Sequence, residues 1–325
     1  MPRLTPRILH QARKVDSLLP LVLQGTRDLA SAKNELRWLK EYVLEQQQNK
    51  QGLGSYSIQQ QLRKLCVDRA RGKPLQYIMG TEYFGDLEIA CKPGVLIPRH
   101  SQPPQSLEVV GVDISNQALN LANRNLHQLI GAGYLGANPL LHFLQADILA
   151  TDSNDKSNHA LSLDSALHQY ESTSSTSRNG RWDILISNPP YISPQAFNDT
   201  TQRSVKRYEP RLALVPPPQN NSSSSKVDQG DIFYPRLLQI AQQVGAKIVL
   251  FEVADSEQAQ RVALMAKNQG IWDGIEIWRD YPSEHDPDAE IGNTSAFSDV
   301  KLLGTGNGRS VFAYRGGARD WLCKE

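Results

Sequence analysis

The residues best placed to do chemistry are Asn188, Pro189, Pro190 and Tyr191, inside the stretch Trp182-Asp-Ile-Leu-Ile-Ser-Asn-Pro-Pro-Tyr-Ile-Ser193. The chemistry they suit is methylation of a planar NH2 group. Such a nitrogen is a poor nucleophile because its lone pair is delocalised into the adjoining π-system. The Asn188 side-chain oxygen and the Pro189 carbonyl can each accept one N–H, and the Tyr191 ring can cover the π-face. Held in this way, the nitrogen can pyramidalise toward an electrophilic methyl, and the stabilisation grows as positive charge develops on it. The competing reading is a plain Asn-Pro-Pro turn, since so short a motif recurs by chance.

The elements around this motif decide between the two. Asp183 to Ser187 is an apolar run too short for a helix, which predicts a short buried strand. Two prolines then remove two backbone donors and fix φ, so the chain must leave the sheet as a stiff, extended turn. The motif therefore falls at the carboxyl end of a strand, where open α/β sheets bind ligands.

Val109-Val-Gly-Val-Asp113 reads as another strand ending in an acid, with Ser115 capping a following helix that carries Leu119, Leu121 and Leu126. An acid at that place commonly accepts both ribose hydroxyls, which makes Asp113 a ribose-binding candidate; a simple helix-entry turn is the alternative. His142-Phe-Leu-Gln-Ala-Asp147 is a third strand ending in an acid, suited to accept a hydrogen bond from an adenine amino group. Further on come a helix (Ile232–Val244), a strand (Ala246–Val253), a helix (Ser256–Gln269) and two final strands, Ile275–Tyr281 and Ser310–Arg315. This alternation predicts a mainly parallel sheet with an antiparallel end. Gly304-Thr-Gly-Asn-Gly308, between the last two strands, reads as a glycine-rich hairpin turn.

Residues 1–90 have a different texture. Leu18, Leu19, Val22 and Leu23 form one helical stripe, Leu36, Leu39, Val43 and Leu44 a second, and Ile58, Leu62, Leu65 and Cys66 a third. They predict a small helical domain that positions a partner, followed by a hairpin in Tyr83–Ala90 and a catalytic domain over residues 91–325. Arg3, Arg7, Arg13 and Lys14 precede the first acid, Asp16, which fits a mitochondrial leader; a basic first helix of the folded domain is the alternative. Residues 151–180 and 216–230 are rich in Ser, Asn, Asp and Thr or in Ser and Pro, and are expected to be surface insertions, disordered or loosely helical.

Composition excludes several classes. The 325 residues are 39% hydrophobic and 21% charged with a net charge of +1, which argues against a dominant nucleic-acid-binding surface. The three cysteines, Cys66, Cys91 and Cys323, are too widely spaced to suggest a disulfide framework or a zinc site, and no metal site is expected. No apolar run approaches the roughly 20 residues of a membrane span.

Five segments together resemble one family: Arg71-Gly-Lys-Pro-Leu-Gln-Tyr-Ile, Phe84-Gly-Asp-Leu-Glu-Ile, Pro93-Gly-Val-Leu-Ile-Pro-Arg99, Gly111-Val-Asp-Ile-Ser115 and Ser187-Asn-Pro-Pro-Tyr-Ile192. Tyr208-Glu-Pro-Arg-Leu-Ala-Leu214 and Gly308-Arg309 extend the likeness to nearly the whole chain. The chain is similar to the HemK-like, S-adenosylmethionine-dependent protein-glutamine N(5)-methyltransferases, in their eukaryotic organellar branch. The resemblance implies an α/β fold, a Rossmann-like class I methyltransferase sheet preceded by a helical domain. It implies S-adenosylmethionine as cofactor, with ribose on Asp113 and adenine on Asp147. The implied partner is a mitochondrial class I peptide-chain release factor, whose Gly-Gly-Gln loop would present its glutamine amide to Asn188 and Pro189. A monomer acting in mitochondria, with neither nucleic acid nor membrane as partner, completes that expectation. Tyr208, Glu209 and Arg211 match a family segment without a role that the residues themselves reveal.

The chain also departs from the family. There, Pro-Arg is followed by Pro-Glu-Thr-Glu, a helix, and a central strand with an Asp-x-Gly-x-Gly-x-Gly loop. Here Arg99 is followed by His100-Ser-Gln-Pro-Pro-Gln-Ser-Leu-Glu108 and the next strand starts at once. Loss of that strand should open the middle of the sheet, and the abrupt junction suits a skipped exon better than an evolved variant. Two other functions stay open: a non-catalytic remnant that binds a release factor, and an amino-methylating enzyme acting on nucleic acid.

Overall fold

The structure is a computed structural model that describes residues 4–49, 58–84, 87–93, 108–135, 140–150, 160–173, 181–218, 228–284 and 299–318. The chain forms two compact units, each assembled from separated stretches: residues 1–110, 117–142 and 201–210 in one, and 111–116, 143–200 and 211–325 in the other.

The first unit opens with α1 (Pro6–Val15), α2 (Leu19–Thr26), α3 (Leu29–Asn49), α4 (Ile58–Ala70) and α5 (Leu75–Met79). Thr5 caps α1 by accepting from the Ile8 N–H, and Pro6 occupies the first turn, where its missing donor costs nothing. The helical stripes largely bury as their period predicts. Ala12, Leu19, Val22, Leu23, Leu36, Leu39, Val43, Leu62 and Cys66 share one core. Leu44 and Ile58 fall off the stripe and stay exposed. The basic stretch read as leader-like is a packed helix: Ala12 is fully buried, and Ile8 and Leu9 lie against the same core. Helices α2 and α4 approach so closely that a side chain at Gly25 would meet the Arg69 carbonyl oxygen at 2.4 Å. Arg69 is pinned there by Glu35, at 2.6 Å through Nε and 3.1 Å through Nη2.

The expected hairpin is present as β1 (Thr81–Phe84) antiparallel to β2 (Leu87–Ala90). Then follow β3 (Val109–Asp113), α6 (Asn116–Gly131), β4 (Leu141–Asp147), β5 (Leu161–Ser162) and α7 (Leu163–Thr173). Next come β6 (Ile184–Ser187), α8 (Pro194–Asp199), α9 (Arg203–Tyr208), α10 (Phe233–Gln243), β7 (Ile248–Glu252) and α11 (Ser256–Gln269). The last three strands are β8 (Gly274–Tyr281), β9 (Val300–Leu303) and β10 (Thr305–Tyr314).

Among the described residues the larger strands form two sheets, one in the order β3-β4-β5 and one in the order β6-β7-β10-β8-β9. Strand β6 runs parallel to β7 and β8 parallel to β9, whereas β10 is antiparallel to both β7 and β8, so the parallel strands are present but the antiparallel strand lies inside the sheet and not at its end. No hydrogen-bonded strand joins β3 to β6 among the described residues. The junction residues 99–107 lie outside the described residues.

Three further expectations need correction. Strand β6 is not buried: Ile184 is 40% and Ile186 68% exposed, and as alternate residues they lie on the same face of the sheet. Gly304 does not turn a hairpin. Strands β9 and β10 both pair with β8, on opposite sides, and the chain crosses the end of β8 at Gly304 with φ +86. A Cβ at Gly304 would collide with the backbone of Tyr281 and Pro282, so the crossing needs a glycine for space as well as for its positive φ.

The third correction concerns the described part of the first insertion; residues 151–159, 174–180 and 219–227 of the two insertions lie outside the described residues. Residues 160–173 form β5 and α7, and Leu163 and Ala166 bury in the same core as Tyr234, Phe251 and Val262. Asp164 pairs with Arg236 at 2.6 Å. At the border of the second insertion, Gly230 is buried beside Asp231. Few apolar residues suffice to anchor a segment when they recur at helical spacing, and composition averaged over the stretch hides that spacing.

Candidate active site

Strand β6 carries Asn188, Pro189, Pro190 and Tyr191 at its carboxyl end, as the sequence predicts. At its amino end, the Asp183 carbonyl accepts from the N–H groups of Lys247 and Ile248, which sets the register with β7. Beyond Ser187 the chain is extended as far as Ser193, with no cis peptide bond, and Ser193 caps α8 by accepting from the Ala196 N–H. Asn188 is exposed, Pro189 is buried, and Pro190 and Tyr191 are half-buried. The Asn188 carboxamide therefore stands in solvent on a backbone that the prolines keep rigid.

Tyr191 is gripped at both ends. Its hydroxyl donates to the Glu252 Oε1 at 2.9 Å, and its carbonyl accepts from the Gln258 Nε2 at 3.3 Å. Glu252 closes β7, the strand beside β6, so two neighbouring strands deliver a tyrosine and a carboxylate to one edge of the sheet. Sequence reasoning missed Glu252, Gln258 and Asp231. The signal for Glu252 was available, since it is an acid at a strand end just as Asp113 and Asp147 are. Gln258, on an ordinary amphipathic helix, carried none.

Asp113 and Asp147 stand at the ends of β3 and β4. Hydrogen bonds from Val109 N–H to the Leu140 carbonyl, and from Gln145 Nε2 to the Ile114 carbonyl, align the two strands in the same direction. Both aspartates thus sit at the carboxyl edge of one sheet. Asp113 accepts from Ser115 N–H at 2.7 Å and Asp147 from Leu149 N–H at 2.9 Å. Desolvation at the base of Asp113 raises its carboxyl above the usual range, against the lowering effect of the Ser115 and Ile114 N–H groups. Asp113 is nevertheless exposed to solvent.

These two carboxylates fit the acceptor chemistry that a ribose and an adenine amino group require. No described residue offers a glycine loop beside Asp113 for the rest of a nucleoside cofactor. Asn188 belongs to the other sheet, so hydrogen-bonded strands connect the aspartates to each other but not to the Asn-Pro-Pro-Tyr turn. Of the matched segment Tyr208-Glu-Pro-Arg, Glu209 helps to raise the Tyr77 hydroxyl to about 12, after the larger effect of burial, within the first unit. Arg211 lies over the Phe197 ring, 5.5 Å from its centroid, within the second.

Helices with parallel-strand sheets, acids at the ends of β3 and β4 and an Asn-Pro-Pro-Tyr turn at the end of β6 are consistent with the fold of a class I methyltransferase. The profile of the Eco57I restriction-modification methylase family matches residues 108–249. The mitochondrial MRF1 N(5)-glutamine methyltransferase MTQ1 of Saccharomyces cerevisiae is 33% identical over 232 residues, covering 66% of this chain and 68% of its own length. The probable MRF1 mitochondrial N(5)-glutamine methyltransferase mtq1 of Schizosaccharomyces pombe is 29% identical over 306 residues, covering 81% of this chain and 88% of its own length. A release factor glutamine methyltransferase of Nitratidesulfovibrio vulgaris is 26% identical over 226 residues, covering 67% and 72%. The chain belongs to the release factor N(5)-glutamine methyltransferase family. Both yeast relatives are named mitochondrial, in agreement with the location read from the sequence.

Proposed function

We propose that this chain, in a form whose sheet is complete, serves translation termination in mitochondria by methylating the side-chain amide of the glutamine in a Gly-Gly-Gln loop of a class I peptide-chain release factor. The observation that carries this reading is the turn at the end of β6, where an exposed Asn188 stands on a proline-stiffened backbone with Tyr191 fixed from two sides. Asn188 Oδ1 and the Pro189 carbonyl each accept one N–H of the substrate amide, and the Tyr191 ring covers its face. S-adenosylmethionine, when bound, supplies the electrophilic methyl, and Asp113 and Asp147 are the residues that would hold its ribose and adenine. The helical stretch within residues 1–90 presents the release factor.

Two alternatives draw on specific observations. The split between the β3 and β6 sheets favours a non-catalytic chain that keeps its release-factor contacts. The match to a restriction-modification methylase profile favours an amino group of nucleic acid as the acceptor. A net charge of +1 provides little phosphate attraction and weighs against the latter. Incubation of a form carrying a family-like segment between Arg99 and Val109 with methyl-labelled S-adenosylmethionine, release factor and DNA separates the three. Label on the glutamine supports the proposal, label on DNA replaces it, and binding of release factor without label leaves the non-catalytic reading.

A further inference from the structure

We propose that Gln258 is a positioning residue for the Asn-Pro-Pro-Tyr turn, setting the Tyr191 peptide from behind; the inference rests on the reading of that turn as the amide-binding element. Gln258 lies in the first turn of α11 and is 2% exposed. A carboxamide that deep must satisfy both its donors and its acceptor, or bear the desolvation penalty of a buried polar group. Gln258 satisfies them with groups from four different stretches of chain. Its Oε1 accepts from the Ala254 N–H at 2.7 Å and lies 3.4 Å from the Tyr234 hydroxyl. Its Nε2 faces the Asp231 Oδ1 at 2.9 Å, the Gly230 carbonyl at 3.1 Å and the Tyr191 carbonyl at 3.3 Å.

The orientation of this amide is fixed by chemistry. Ala254 offers only a donor, and Gly230, Asp231 and Tyr191 offer only acceptors, so flipping the amide would break both sets at once. Asp231, itself 1% exposed, is locked by Arg261 at 2.5 Å through Nε and 3.1 Å through Nη2, which balances its charge. Gly230 completes the support. A Cβ there would stand 2.8 Å from the Tyr191 carbonyl oxygen, a backbone atom that cannot swing aside. The absence of a side chain lets residues 228–231 press against the back of the turn.

The consequence follows from the stiffness of the turn. Pro189 and Pro190 have fixed φ, so Tyr191 is the handle through which the Pro189 carbonyl and the Asn188 side chain keep their aim. Misplacing a positioned group by about 1 Å can cost on the order of a hundredfold in rate. Gln258 therefore acts on the reaction through Tyr191 and touches no substrate.

Hydrogen exchange on the 325-residue chain tests this without requiring turnover. Gln258→Met keeps length and volume while removing both donors. It should speed exchange of the Tyr191 and Ile192 amides about tenfold, with the helical unit unchanged. Gln269→Leu is the control, since Gln269 donates to the Leu238 carbonyl on α10 at 3.1 Å and touches no part of the turn. If Gln258→Met does not fold, Gly230→Ala displaces the Tyr191 carbonyl with Gln258 in place and should speed the same amides. In a form that turns over, Gln258→Met should lower kcat about tenfold with the release-factor KM within about twofold. Unchanged exchange at residues 191–192 in a folded variant overturns the positioning role whatever the activity. A form with a family-like segment between Arg99 and Val109 that binds S-adenosylmethionine yet methylates no glutamine, with exchange behaving as expected, overturns the proposed function and leaves the positioning of the turn standing.

Discussion

Asn188 and Tyr191 divide the work at the site by exposure. Asn188 is open to a substrate, whereas Tyr191 is half-buried and holds its place through Glu252 and Gln258. Asn188→Ala removes one acceptor whose value peaks as the amide nitrogen becomes positive. By analogy with loss of one oxyanion-hole donor, it should raise the barrier by about 2.7–4 kcal/mol. Binding of S-adenosylmethionine should change little, so the loss belongs in kcat. Single-turnover kinetics on a form that turns over checks it, and near-normal transfer by the variant would remove Asn188 from the proposed role. Glu252→Gln keeps an acceptor for the Tyr191 hydroxyl and should be mild, whereas Glu252→Leu leaves that hydroxyl facing an apolar group. The Leu variant should lose about 1–3 kcal/mol of stability in chemical denaturation, and the Gln variant much less.

The helices of the first unit owe their stability to close approach as well as to apolar area. Where α2 meets α4, Gly25 leaves no room for even one methyl group, since the opposing atoms are the Arg69 carbonyl and guanidinium. Gly25→Ala gains helix propensity of about 1 kcal/mol, yet overpacking against backbone costs about 1–3 kcal/mol. The net result should be a lower Tm for the helical unit, followed by circular dichroism at 222 nm. Helix α4 also places Cys66 in the core, where burial pushes its thiol up to about 11. A thiol is neutral when protonated, so the folded state holds this proton more tightly than the unfolded chain does. The contribution is complete below the ordinary thiol pKa and disappears as pH rises through about 11. Urea titrations should show the unit weakening between about pH 9 and 11 by on the order of 2 kcal/mol from this group. Cys66→Ala should flatten that part of the slope.

At the scale of the whole molecule, β3 and β6 stand in separate hydrogen-bonded sheets among the described residues. Strand β6 turns Ile184 and Ile186 to solvent, and β3 and β6 lack a common neighbour among the described residues. A catalytic sheet depends on hydrogen-bonded strands to keep the groups at its edge at fixed separations. Here the two aspartates share one sheet and Asn188 stands on the other, so the 325-residue chain should bind S-adenosylmethionine poorly or not at all. Inserting a family-like strand and glycine-rich loop between Arg99 and Val109 should cover the β6 face, sharpen thermal unfolding and restore cofactor binding. Titration calorimetry on the two forms checks this, and micromolar binding by the 325-residue form would refute it.

The sequence by itself determined the elements and their chemistry. Periodicity placed the helical stripes, the acids at strand ends marked Asp113 and Asp147, and two prolines after an apolar run marked the Asn188–Tyr191 turn. These are legible because a helix, a strand end and a proline act over a few neighbouring residues. Tertiary structure alone decided the rest. The exposure of Ile186 depends on what lies beside β6, and the burial of Leu163 and Ala166 on a helical face within a polar stretch. The grip on Tyr191 comes from Glu252 and Gln258, residues 61 and 67 positions away. No local pattern encodes such partners, because a buried hydrogen bond is selected by distance and satisfied valence in three dimensions, whatever the separation along the chain.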